Sequence, residues 1–129
     1  MAPVCIVEDD PDIRATLCLL LEDAGYAYCE AADGGAALDL LRASPQPLVV
    51  LLDLMLPVLT GIQVLEALAR GPDTGRQHAY ILLTAMRDVP APELARLTKQ
   101  FSVTVMQKPF DIEVVLEAVR QAATQLAWG

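Results

Sequence analysis

Residues 48–53 read Leu48-Val49-Val50-Leu51-Leu52-Asp53. An unbroken apolar run of this length cannot be sorted onto a wet and a dry face by a period of two. It suits a strand buried on both faces, as the central strands of parallel sheets are. The run ends in a carboxylate. Beyond it, a loop containing Pro57 leads to Thr60-Gly61 and a helical pattern over 61–70, with Ile62, Leu65 and Leu68 on one face and Gly71-Pro72 closing it. Before it, Ser44-Pro45-Gln46-Pro47 stops an alanine- and leucine-rich helix that Asp33 can cap.

The same alternation extends to both ends of the chain. Strand-like runs occupy 4–7, 26–30, 79–83 and 102–106. A helix over 11–24 puts Ile13, Leu17, Leu20, Leu21 and Ala24 on one stripe. Asp10 caps it, Pro11 suits its first turn and Gly25 ends it. A helix over 90–100 must place Pro90 and Pro92 in its first turn. Asp111 caps a last helix with Ile112, Val115, Leu116, Val119, Ala122 and Leu126 facing inward. Five βα units make an α/β fold: a doubly wound, five-stranded parallel sheet with right-handed crossovers and helices on both faces. Residues 1–129 read as a single domain without repeats or linkers.

Composition narrows the class. Hydrophobic residues make up 54% of the chain and charged residues 20%, so it is globular. Mean hydropathy is +0.41, yet no window nears the roughly 18 apolar residues of a membrane span. The N-terminus lacks the basic start and long apolar stretch of a signal peptide, and the chain is expected to be cytoplasmic. A net charge of −8 argues against direct contact with nucleic acid. Cys5, Cys18 and Cys29 show no CxxC spacing, and His78 is the single histidine. Buried free thiols are the expectation.

In sheets of this kind, ligands bind beyond the carboxyl ends of the strands, where strand order reverses. The first strand ends in Glu8-Asp9-Asp10, the third in Asp53, the fourth in Thr84, and the fifth, after Gln107, in Lys108-Pro109. Taken singly, each has a plain structural use: a cap, a solvated acid, a β-branched strand residue, a loop lysine. Together they do not. With strands in the common order 2-1-3-4-5, Glu8, Asp9 and Asp53 crowd one crevice and repel one another unless positive charge sits among them. Lys108 offsets part of it. A hard divalent cation offsets more, and magnesium suits a few carboxylates completed by water and phosphate oxygens. Glu30, at the end of the second strand, has no assigned role.

Glu8-Asp9-Asp10, Asp53 with Leu54-Met55-Leu56-Pro57 and Thr60-Gly61, Thr84-Ala85, and Lys108-Pro109-Phe110 resemble, in order and in register, the motif set of response-regulator receiver domains. The resemblance implies a flavodoxin-like (βα)5 fold and a phosphorylation switch that catalyses only its own phosphorylation and dephosphorylation. It implies Asp53 as phosphoacceptor, Asp9, Asp53 and the Met55 carbonyl as Mg2+ ligands, and Glu8 acting through metal-bound water. Lys108 would pair with Asp53 and then with the phosphoryl oxygens. Thr84 would give the phosphoryl group a hydroxyl, small Ala85 would leave it room, and the Lys108–Pro109 bond would be cis. The implied partners are a sensor histidine kinase or histidine phosphotransfer protein and a downstream protein effector, with no membrane. The chain itself is expected as a monomer or weak dimer.

One position departs from the family pattern. Receivers commonly carry Tyr or Phe three residues before the lysine, where Val105 stands here. A valine has no ring to swing into space vacated by Thr84, and Phe101 lies too early to replace it. Three rival readings remain. An aspartyl-nucleophile phosphatase would place a DxD pair after the first strand. A flavin mononucleotide module would need a Ser/Thr/Gly-rich loop where Glu8-Asp9-Asp10-Pro11-Asp12 stands. A receiver-like scaffold without phosphorylation would not need the full acid, threonine and lysine set.

Overall fold

The computed structural model describes residues 2–71, 77–84 and 91–128, with the side chains of Ala91, Ala127 and Trp128 left aside. The strands are β1 (Val4–Val7), β2 (Tyr28–Ala31), β3 (Val49–Asp53), β4 (Ala79–Thr84) and β5 (Ser102–Gln107). The helices are α1 (Pro11–Asp23), α2 (Gly34–Ala43), α3 (Gly61–Arg70), α4 (Ala91–Gln100) and α5 (Ile112–Trp128). The five strands form one sheet in the order β2-β1-β3-β4-β5, every neighbouring pair parallel. This is the doubly wound architecture the sequence pattern called for.

β3 is buried along its whole length, because α/β layering covers both of its faces. Val49 and Leu51 pack with Val4, Ile6, Ile81 and Leu83 against Leu17 and Leu21 of α1 and Val115 and Val119 of α5. Val50 and Leu52 pack with Cys5, Val7, Tyr80 and Leu82 against Leu38 and Leu41 of α2, Leu65 and Leu68 of α3 and Leu97 of α4. Each such side chain contributes about 1.5–3 kcal/mol by leaving water.

The register sets the geometry of the strand ends. Val7 pairs with Leu52, so Glu8 and Asp53 follow at the same level on adjacent strands. By the period of two, both continue the face of Ile6 and Leu51. The sheet therefore sets these two carboxylates side by side.

Some boundaries and faces differ from expectation. α1 stops at Asp23; the N–H of Ala24 caps it on Leu20, Gly25 takes φ 90°, and Ala24 is exposed rather than part of the inner stripe. β2 begins at Tyr28, after the chain has recovered from that turn. Ile112 opens α5 and stays 45% exposed rather than joining the inner stripe. Cys5 and Cys18 are buried free thiols, but Cys29 is only partly covered, since β2 is an edge strand. Pro92 lies in the first turn of α4, as required; Pro90 lies outside the described residues. Among the described residues, no helix is long and apolar enough to cross a membrane.

Candidate functional site

Each strand end delivers its side chain by ordinary local means. After β1 the chain turns at once into α1. Asp10 caps that helix, its Oδ1 accepting from the N–H groups of Asp12 (2.9 Å) and Ile13 (3.3 Å). Asp10 is thereby committed to structure, leaving Glu8 and Asp9 to face the crevice. After β3, the N–H of Leu54 donates to the carbonyl of Leu83, and that of Gly61 to the carbonyl of Leu54. The second contact needs glycine: a Cβ on Gly61 would lie 2.7 Å from the Asp53 carbonyl oxygen. Thr60 caps α3 in a reciprocal box with Gln63. At the far side, the N–H of Lys108 donates to the Thr84 carbonyl at 2.8 Å, and the Lys108–Pro109 bond is cis.

These elements bring Glu8, Asp9, Asp53 and Lys108 together. One carboxylate oxygen from each of Glu8, Asp9 and Asp53 lies within 4.8 Å of the others. Lys108 Nζ donates to Glu8 Oε1 at 3.0 Å and to Asp53 Oδ2 at 2.9 Å, and the Met55 N–H donates to Asp53 Oδ1 at 3.0 Å. Glu8 and Asp53 are almost fully buried, at 1% and 3% exposure, whereas Asp9 is open to solvent. Lys108 is thus shared between both buried acids, where the sequence pointed to Asp53 alone.

Two buried carboxylates beside one ammonium cannot both ionise freely. Burial, and then Asp53 itself, push the Glu8 carboxyl well above the usual carboxylate range, against the pull of Lys108. Burial acts to raise Asp53 as well. Hydrogen bonds from Glu8, the Met55 N–H and Lys108 outweigh it, so Asp53 is the acid that stays ionised. Desolvation likewise works against the Lys108 ammonium, and its two carboxylate partners more than compensate. The arrangement favours an anionic Asp53 and a demand for positive charge around it. Oxygen donors this close suit a hard divalent cation.

Thr84 is buried at the end of β4, beyond the Asp53–Leu83 register pair. The Met55 side chain is exposed, leaving only its backbone for the site. Ala85 lies outside the described residues. Two features were not legible beforehand. Arg14 turns back from α1 onto the carbonyls of Glu8 and Asp9 and pairs with Glu30. His78 is wholly buried between Leu41 and Leu48. The only sequence signal for Arg14 was its place one turn after the Asp10 cap.

Comparison with known proteins agrees with this geometry. Residues 4–120 match the family model described as the response regulator receiver domain. The chain is 34% identical over 122 residues to the DNA-binding dual master transcriptional regulator RpaA of Synechocystis sp., covering 93% of this chain and 48% of that protein. It is 32% identical over 128 residues to Protein Rrf1 of Nitratidesulfovibrio vulgaris, covering 99% and 87% respectively. The chain spans about half the length of RpaA and of the regulators YkoG of Bacillus subtilis and MprA of Mycolicibacterium vanbaalenii. A CheY-like receiver domain protein from Methanospirillum hungatei superposes with a TM-score of 0.80 at 27% identity, covering 99% of this chain and 98% of that one. With the fold, the strand-end acids and the family match in agreement, this chain belongs to the receiver domains of two-component response regulators.

Proposed function

We propose that Asp53 accepts a phosphoryl group from a sensor histidine kinase or a histidine phosphotransfer protein, and that Mg2+ is required. The observation that carries this reading is the convergence of Glu8, Asp9 and Asp53 within 4.8 Å, with Lys108 bridging two of them. The donor set is all oxygen, as Mg2+ prefers. Asp9, Asp53 and the Met55 carbonyl would hold the ion, and Glu8 would act through its bound water. When bound, Mg2+ neutralises charge on the transferring phosphoryl oxygens.

The chain's own groups do the rest. Met55 N–H fixes Asp53 Oδ1, and Lys108 holds Oδ2, so the carboxylate is oriented before a donor arrives. A carboxylate oxygen of Asp53 attacks phosphorus. The new O–P bond forms as the bond to the donor's leaving group breaks, which needs charge stabilisation more than a general base. Lys108 then follows the phosphoryl oxygens, and the Thr84 hydroxyl donates to them. The acyl phosphate is open to water, which resets the switch.

Residues 1–129 act as one receiver unit that catalyses only its own phosphorylation and dephosphorylation, in the cytoplasm, as a monomer or weak dimer. Output passes through contacts with a protein effector rather than direct contact with nucleic acid, in keeping with the charge of −8. DNA binding belongs to relatives such as RpaA, whose length this chain half covers. The test is labelling by acetyl phosphate with and without Mg2+. Asp53→Asn should abolish stable labelling, and Asp9→Ala should chiefly weaken Mg2+ binding. Undiminished labelling of the Asp53 variant would overturn the assignment.

A further inference from the structure

Arg14 touches no carboxylate of the crevice, yet it is bound to the backbone that carries two of them. It lies in the first helical turn of α1, with its own N–H donating to the Asp10 carbonyl at 2.9 Å. From there its guanidinium turns back. Nη1 donates to the Glu8 carbonyl at 2.8 Å and lies 3.5 Å from that of Asp9, while Nε reaches Glu30 Oε1 at 3.2 Å. Glu30 sits on edge strand β2, in register with Ile6 of β1. A single planar cation thus ties two consecutive peptide carbonyls of the acidic turn to the neighbouring strand.

We propose that Arg14, braced by Glu30, is a positioning residue that holds the Glu8–Asp9 backbone so that both carboxylates converge with Asp53 on a divalent cation. The inference rests on the Mg2+ reading above. Three acids crowded together repel one another, and before a cation binds, any swing of the turn away from β3 would ease that repulsion at the cost of the converged geometry. The planar guanidinium, donating to these carbonyls through Nη1 and to Glu30 through Nε, opposes that movement, and a flexible ammonium could not span both. Glu30 fixes the guanidinium and also offsets its charge, which lessens its repulsion of a bound cation. Partners of this kind, which hold metal ligands without touching the metal, typically set affinity within a range of about 10- to 100-fold.

The sign of the effect separates positioning from simple electrostatics. If Arg14 were only a nearby positive charge, Arg14→Ala would tighten Mg2+ binding. If it positions the turn, the same change weakens binding. The experiment is calorimetric titration of the full chain with Mg2+, comparing wild type with Arg14→Ala, Arg14→Lys and Glu30→Gln, with far-UV circular dichroism to establish folding. The expected result is a loss of about tenfold for Arg14→Ala. Arg14→Lys keeps the charge but should recover little of the loss. Glu30→Gln should lose about two- to fivefold, because it frees the guanidinium and unmasks its charge. Unchanged or tighter binding by folded Arg14→Ala would overturn the proposal. Should that variant not fold, wild-type affinity in Arg14→Lys and Glu30→Gln would overturn it equally. A wild-type chain that binds no Mg2+ would refute the cation site itself, an outcome distinct from wild-type binding with indifferent variants.

Discussion

Replacing His78 by leucine tests how the sheet is anchored at the end opposite the site. His78 is wholly buried. Its Nδ1 accepts from the Leu48 N–H at 3.0 Å, and that fixes the ring proton on Nε2, which faces the Leu41 carbonyl at 3.0 Å. One neutral ring therefore pins the last turn of α2 to the start of β3, with Tyr80 edge-on at 6.2 Å. Leucine fills comparable volume but leaves one buried N–H and one buried C=O without partners. At about 1–3 kcal/mol each, the loss should be about 2–6 kcal/mol, out of a total of about 5–15 for a domain. Burial depresses the His78 pKa, only partly opposed by the Leu41 carbonyl. The folded state thus refuses a proton that the unfolded chain takes up below about pH 6.5. Stability is retained above that value and lost as pH falls below it, by up to about 1.4 kcal/mol per unit. Urea unfolding at pH 7.5 and 5.5 measures both effects. The Glu8–Asp53 pair titrates in both proteins and cancels in the comparison. A loss below 1 kcal/mol at pH 7.5, or the same pH slope in wild type and variant, would refute this account of the ring.

Gly61→Ala should cost about 1–3 kcal/mol by overpacking, because the new methyl would meet Leu54 Cδ2 at 2.6 Å and the Asp53 carbonyl at 2.7 Å. It should also slow acetyl phosphate labelling; an unchanged urea midpoint and rate would contradict the packing argument. Val58 is a β-branched residue at φ 71° and is 78% exposed, so it pays backbone strain with little burial in return. Val58→Gly should raise the unfolding midpoint, by about 1 kcal/mol, and a lower midpoint would show that the side chain contributes more than its exposure suggests. For Val105, amide shifts on adding a beryllofluoride phosphoryl mimic should concentrate around Asp53, Thr84 and the segment that follows. Large shifts across 102–106 and all of α5 would show that coupling survives without the aromatic.

The layout was legible where burial imposes a period. Leu48 to Leu52 announced a strand covered on both faces, and the stripes of α1, α3 and α5 announced which faces would cover it. The site was legible for the same reason: once strand order is set, Glu8 and Asp53 must stand side by side. Details set by a single turn were less readable. Nothing in the composition near Gly25 says that the helix releases Ala24 one residue early. Contacts between distant elements were not readable at all. Arg14 and Glu30 are 16 residues apart, and His78 meets groups 30 and 37 residues away. Each looks like an ordinary polar residue until the fold supplies its partner. The Lys108 contact with Glu8 belongs here too: charge balance called for a lysine, but only the register shows that it must serve two acids.

That shared lysine explains why the crevice is poised rather than settled. Three carboxylates against one ammonium leave two negative charges unmatched, the charge of one divalent cation. Without such an ion the deficit is relieved by holding Glu8 protonated, as burial and Asp53 both favour. A bound divalent cation would let Glu8 ionise and would add its positive charge to that of Lys108 at Asp53. Transfer of a phosphoryl group then replaces one carboxylate charge by about −1.5 to −2 on three strong acceptor oxygens. Lys108 and Thr84 can both answer, and the two are already linked, because the Lys108 N–H donates to the Thr84 carbonyl at the paired ends of β4 and β5. A pull on either is therefore felt by both strands. With Val105 partly exposed on β5 and no ring to relocate, the backbone between those strand ends is the expected path from the site to the surface, which the amide shifts with the phosphoryl mimic test.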